Sequence, residues 1–130
     1  MTTLLLDSHI LHWWSAEPER LSATAAESLA AADELAVASI TWYELAWLAR
    51  HDRIAVEVPI RSWLGSLSES VRTFGVTPAI ADAAVSLQAL FPGDPADRII
   101  FATAIEHGLK LVTKDGRMRR YRHTREITVW

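Results

Sequence analysis

Four carboxylates stand where they can do chemistry together: Asp7 at the end of "LLLD", Glu44 in "SITWYEL", Asp97 in "FPGDPADRII" and Asp115 in "LVTKDG". Each also has a purely structural use. Thr41-Trp42-Tyr43-Glu44 fits S/T-x-x-E, a capping box in which Glu44 reaches back to the Thr41 amide. In "DPAD", Asp94 caps a helix, Pro95 takes its first position and Asp97 favours the positive end of the helix dipole. Asp7 can cap the helix after it, and Asp115-Gly116 is a common turn pair. As a set the four say more. Carboxylates gathered at one sheet edge repel one another, so either some hold protons or something positive offsets them. Helix N-termini supply part of that offset, and a divalent cation, whose preferred ligands are carboxylate oxygens, supplies more. The chain has no cysteine, and its histidines show no pair spaced like a zinc site, which leaves Mg²⁺ or Mn²⁺ as the fitting ions. Mg²⁺ keeps several waters and binds substrate phosphates, a chemistry suited to phosphodiester hydrolysis.

The elements that must position these acids follow from apolar patterning. "TLLL" (3–6), "ELAVAS" (34–39), "VRTFGV" (71–76), "KLVT" (110–113) and "EITVW" (126–130) are short apolar runs that read as strands. Between them lie helical stretches: 8–14; "SATAAESLAAA" behind a Ser22 cap; 41–52 with Trp42, Leu45, Ala46 and Ala49 along one face; and a segment after Pro59 with Ile60, Leu64 and Leu67 inward. Thr77-Pro78 opens a helix running to Leu90, and a further helix over about 95–107 closes at Gly108. "DGRMRRY" is a turn and short helix. Strands alternating with helices predict an α/β chain with a three-layer α/β/α architecture and a central, mainly parallel sheet of about five strands. Such sheets bind ligands beyond the carboxyl ends of their strands. Asp7 follows its strand directly, Asp115 follows "KLVT" after one intervening residue, and Glu44 and Asp97 lie in first helical turns.

The totals agree. A chain of 130 residues suits one domain, residues 1–130, and a sequence 50% hydrophobic and 22% charged is not disordered. The absence of cysteine fits a reducing compartment. The first residues lack the basic segment of a signal peptide, and no apolar run approaches the ~20 residues of a membrane span, so the expectation is a cytoplasmic protein without a membrane partner. Net charge is −3, yet seven of the thirteen basic residues (Lys110, Lys114, Arg117, Arg119, Arg120, Arg122 and Arg125) fall within sixteen positions that hold the single acid Asp115. Such a run either attracts phosphates or is a solvated face.

Several blocks resemble a known family. "LLLDSHILHWW", "ASITWYELAWLA", "FPGDPADRIIFATAIEHGLKLVTKDGRM" and "ITVW" look like successive parts of a PIN-domain ribonuclease, and more narrowly of the VapC-type toxins of bacterial type II toxin–antitoxin modules. The resemblance runs from Leu4 to Trp130. Its most specific parts are D-P-x-D-R followed by A-x-A and L-V-T-x-D, with the opening D-[ST]-H-x-L-x-W nearly as specific. It implies that Asp7, Glu44, Asp97 and Asp115 form a catalytic, metal-binding acidic site for Mg²⁺, with Mn²⁺ as a substitute. Around them Asp94 is a helix cap or outer support, Thr113 orients an acid or a metal water, and Ser8 keeps a hydroxyl where the family often has threonine. The implied reaction is endonucleolytic cleavage of structured RNA, transfer or ribosomal, by metal-activated water. The implied partners are a cognate VapB-type antitoxin, whose basic side chain enters the acidic cleft, and a second copy of the chain, forming a homodimer within a larger toxin–antitoxin assembly.

Arg98, Lys114, Arg117, Arg119 and Arg120 are candidate RNA contacts, although Arg98 could equally pair with a nearby acid. His9, beside Asp7, takes a structural or supporting role. The tryptophans invite base stacking, but Trp42, Trp47 and Trp63 fall at helical spacing and read as core or interface. Other readings stay open: a catalytically inactive PIN-fold RNA-binding module; a metal-dependent small-molecule phosphohydrolase, disfavoured because position 9 is histidine and not the second aspartate; and a response-regulator-like module, disfavoured because "VRTFGVTP" ends without an acid.

Overall fold

The computed structural model describes residues 1–130. Five strands, β1 (Thr3–Leu6), β2 (Glu34–Ala38), β3 (Arg72–Phe74), β4 (Lys110–Val112) and β5 (Thr128–Val129), form one sheet in the order β3-β2-β1-β4-β5. Every pairing is parallel, with Leu4 opposite Leu35 on one side and Leu5 opposite Leu111 on the other. The sheet is therefore wholly parallel, where the sequence suggested mainly parallel. Strand order reverses direction at β1, which opens a crevice at its carboxyl end beside β4.

Seven helices, α1 (Ser8–Ala16), α2 (Ala23–Ala31), α3 (Ile40–Arg50), α4 (Ile60–Ser68), α5 (Pro78–Ser86), α6 (Pro95–His107) and α7 (Gly116–Arg120), make the outer layers. Both faces of the sheet are buried because successive strand residues point oppositely. Leu4 and Leu6 pack with Ile10, Leu11, Leu29 and Leu45 on one face, and Leu5 packs with Phe91, Phe101, Leu111 and Met118 on the other. α5 lies outside α6, joined through Ile80, Ala84 and Ala102. None of the helices is long and apolar enough to cross a membrane.

Local chemistry explains most helix ends. Ser22 accepts from the Ala25 amide at 3.0 Å, Thr77 from Ile80 at 3.2 Å before Pro78, and Gly108 ends α6 in the left-handed region at φ 64°. Two expectations are corrected. The helix after Pro78 ends at Ser86, with Leu87 extended, instead of running to Leu90; carbonyls at its end are taken up by Arg98, as described below. Thr41 and Glu44 do not form a capping box, because α3 begins at Ile40 and Glu44 lies one turn inside, bonded to a different helix.

Candidate metal centre

The site begins with Asp7. Its amide donates to the Val112 carbonyl of β4 at 3.0 Å, which ties the end of β1 to the reversal point of the sheet. Its Oδ1 accepts from the Ser8 amide at 2.8 Å, capping α1, and its Oδ2 accepts from the buried Thr113 hydroxyl at 2.7 Å. Thr113 also accepts from the Asp115 amide at 3.1 Å, so one hydroxyl connects the loops after β1 and β4. Burial pushes the Asp7 carboxyl up, against the lowering effect of the Thr113 and Ser8 hydrogen bonds.

Glu44 is fixed from α1. Ser8 Oγ lies 2.6 Å from Glu44 Oε1 and 3.0 Å from Thr41 Oγ1. Having one proton, it donates to the carboxylate and pairs with Thr41 as acceptor. Burial raises the Glu44 pKa, the Ser8 bond lowers it, and the charges of Asp7 and Asp94 raise it again.

α6 brings the remaining acids. Asp94 caps the helix by accepting from the Ala96 amide at 2.8 Å, and Pro95 occupies the first turn, where it has no amide to leave unpaired. Glu44, Asp94 and Asp97 each offer a carboxylate oxygen, and these oxygens all lie within 4.8 Å of one another. Asp94 thus stands closer to the centre than the outer role suggested by sequence, while Asp7 and Asp115 lie outside this tight group. Asp97 sits among all of them electrostatically. Burial first, then the charges of Asp7, Asp94, Glu44 and Asp115, push its pKa up to about 7.

No Lys or Arg nitrogen lies within 4.0 Å of a carboxylate of Asp7, Glu44, Asp94 or Asp97. Asp115 differs: it caps α7 through the Arg117 and Met118 amides at 2.8 and 3.3 Å and lies 3.8 Å from the Arg117 guanidinium. Hard oxygen donors crowded together with no lysine or arginine paired to Asp7, Glu44, Asp94 or Asp97, and with the His9 imidazole acting on Asp7 and Glu44, suit a divalent cation such as Mg²⁺ or Mn²⁺.

Arg98 is not available to RNA. Its Nε, Nη1 and Nη2 donate to the carbonyls of Pro92, Ala84, Leu87, Gln88 and Phe91 at 3.1–3.4 Å. These five bonds use its five N–H donors, so it secures the loop that delivers Asp94. The basic run divides similarly. Lys110 donates to the Glu126 carbonyl, Arg125 to the Leu109 and Ala104 carbonyls, and Lys114 lies 5.6 Å from the Trp13 ring. Arg119, Arg120 and Arg122 are exposed and make no ion pair. Arg117, Arg120 and Arg122 line one open groove with Gln88 and Tyr121.

A feature missed from the sequence adjoins the acids. Tyr43 and Trp47 are 67% and 42% exposed and line a 450 Å³ cleft with Glu44 and Asp94. Trp42 and Trp63, by contrast, pack against the core. The only available signal was the spacing of 43, 44 and 47 on α3, opposite the apolar face through Leu45.

The PIN domain family model matches residues 4–123. The chain is 62% identical to Ribonuclease VapC22 of Mycobacterium tuberculosis, over all of both chains. Its fold is similar to that of a toxin–antitoxin complex from Klebsiella pneumoniae, at 25% identity over 86% of each chain with TM-score 0.63. It is also similar to VapBC2 from Rickettsia felis bound to a promoter DNA fragment, at 18% identity over 92% of each chain with TM-score 0.65. On the strength of the sequence match over the whole chain, this protein belongs to the PIN domain family, within its VapC branch.

Proposed function

We propose that this protein is the endoribonuclease toxin of a VapBC-type module, cutting structured RNA, transfer or ribosomal, with Mg²⁺ or Mn²⁺ and held inactive by a cognate VapB-type antitoxin. The observation that carries this reading is the gathering of Glu44, Asp94 and Asp97 within 4.8 Å, with no lysine or arginine paired to them. The full-length similarity to Ribonuclease VapC22 supports the reaction class.

Glu44, Asp94 and Asp97 would hold the cation, with Asp7 and Asp115 completing the negative surroundings. Bound there, a divalent cation would supply a water of lowered pKa and a positive charge to offset that building on the phosphate oxygens. Ser8 holds Glu44 and Thr113 holds Asp7, so neither carboxylate has to search for its geometry when substrate arrives. Asp97, whose pKa burial and the neighbouring acids push up to about 7 without a cation, would give up any proton it holds when a cation binds. Arg117, Arg119 and Arg120, with Lys114 beside them, guide the RNA backbone, while RNA shape selects the site.

An antitoxin fits the same electrostatics: a guanidinium inserted among the carboxylates replaces the cation and blocks the site. Exposed Val85 and Leu90, in α5 and the loop after it, offer an apolar surface for a second copy. The test is purified protein with total RNA and Mg²⁺ or Mn²⁺, against EDTA and against Asp7→Ala and Asp97→Ala, with new 5′ ends mapped. Cleavage should require the metal and both acids. Cleavage that persists in EDTA, or is unchanged in both variants, refutes the reading.

A further inference from the structure

The cleft beside the acids has a composition that the cation site does not explain. One wall is the α3 surface carrying Tyr43 and Trp47, and the other is the start of α6 at Pro95, with His9 at the α1 end. Glu44 and Asp94 line the same cleft, so it is continuous with the carboxylate group. Trp47 is three residues after Glu44 on α3, which puts their Cβ atoms ~5–6 Å apart on adjoining surface. Tyr43 and Trp47 are exposed, although large aromatics are usually withdrawn from water. The Trp47 ring is also held in place: His51, which does not line the cleft, stacks on it at 3.9 Å and 19° and bonds the Trp47 carbonyl through Nδ1 at 2.8 Å.

We infer that this cleft is a nucleobase subsite, in which Tyr43 and Trp47 stack a base flanking the scissile phosphate and thereby contribute to the choice of cut position. The inference rests on the ribonuclease reading above and deepens it. Charge favours a base as occupant. No Lys or Arg lines the cleft; His9 is its one basic residue, set against the carboxylates of Glu44 and Asp94, and these two repel a phosphate unless a cation intervenes. A neutral planar base meets no such penalty, and aromatic rings beside the apolar Ile40, Leu48 and Pro95 form a surface on which a single-stranded base can stack. The Tyr43 hydroxyl and the His9 ring add hydrogen-bonding atoms that can meet a base edge. A volume of 450 Å³ lies in the range of small-ligand sites. A nucleotide with its base on Trp47 leaves its phosphate beside Glu44 and Asp94, where cleavage is proposed.

The experiment uses the full chain and a synthetic RNA carrying the cut mapped in total RNA, made intact and with an abasic ribose at each nucleotide flanking the cut in turn. One abasic position should lower kcat/KM of the wild-type protein by roughly tenfold to a hundredfold, the loss typical of one stacked base. Tyr43→Ala and Trp47→Ala should lower cleavage of intact RNA by a similar factor and be nearly indifferent to the same abasic change. Tyr43→Phe and Trp47→Phe, which keep a ring, should restore most activity and most of the abasic effect, which distinguishes stacking from misfolding. Wild-type protein that cuts no RNA overturns both readings. Wild-type protein that cuts RNA but ignores every flanking abasic position, or variants in which the abasic loss is undiminished, overturns the subsite alone. So does a pair of alanine variants that cut normally but no longer bind the antitoxin, since the cleft then serves a protein partner.

Discussion

Replacing Asp97 by asparagine should stabilise the metal-free protein, although it removes a residue proposed to hold the cation. Asp97 titrates near 7 where an unperturbed aspartate titrates at 3.8. A raised acid pKa means that the folded state keeps a proton that the unfolded chain has lost. Stability from this group is therefore greatest below pH ~4 and falls as pH rises toward 7. The gap between those two values, at 1.36 kcal/mol per pH unit, sets a ceiling of roughly 4 kcal/mol. The side chain is only partly buried, so solvent screening reduces this to about 1–2 kcal/mol. An asparagine side chain cannot ionise and escapes that loss. In EDTA at pH 8, Asp97→Asn should melt about 3–8 °C above the wild type, and the gap should shrink at pH 5. Millimolar Mg²⁺ should reverse the order, because the wild type gains RT ln(1 + [Mg²⁺]/Kd) and the variant gains less. Equal melting points in EDTA at pH 8, or a gap that does not change between pH 8 and pH 5, refute the electrostatic account of the site.

Other outcomes follow from the same contacts. Loading with Mg²⁺ at pH 7 should release about half a proton from Asp97, seen by calorimetry in buffers of different ionisation enthalpy, and none from that source in Asp97→Asn. Thr113→Val leaves Asp7 buried without its hydroxyl donor; it should cost about 1–3 kcal/mol in denaturant unfolding. Arg98→Lys keeps the charge but not the five-donor fork, so it should loosen the 87–92 loop to proteolysis and lower stability by about 1–3 kcal/mol. If Arg119 and Arg120 contact the RNA backbone, changing both to alanine should reduce the salt slope of RNA binding by about 1.4, from ~0.7 per single-strand phosphate contact.

Much of the fold was legible because its determinants are local. Apolar runs such as "LLL" and "KLV" became strands, and Ser22, Thr77, Asp94 and Gly108 mark helix ends by chemistry that acts within four residues. Glu44 and Asp97, two of the four acids expected to gather, do offer oxygens to one tight group, while Asp7 and Asp115 stand outside it. What escaped depends on contacts distant in sequence or on helix rotation. Glu44 looked like a partner for its own helix because Thr41 precedes it by three, yet Ser8, thirty-six residues away, supplies the hydroxyl. Arg98 next to Asp97 reads equally as a phosphate ligand or as the partner of a nearby acid, but the chain from 84 to 92 folds around its guanidinium and satisfies it. Asp94, read as a helix cap or outer support, reaches the other carboxylates while still accepting from Ala96, because a cap uses one oxygen and leaves the other free. Trp47 reads as core or interface, like Trp42 and Trp63, because helical spacing alone does not show which face turns outward.

The central claim is that these acids gather to hold one or more divalent cations, and a crystal of the protein soaked in Mn²⁺ tests it most directly. The account predicts an anomalous difference peak among Glu44, Asp94 and Asp97, about 2.1–2.3 Å from carboxylate oxygens, absent from Asp97→Asn crystals soaked identically. A map with no peak there at saturating Mn²⁺, in a lattice that leaves the cleft open, contradicts it.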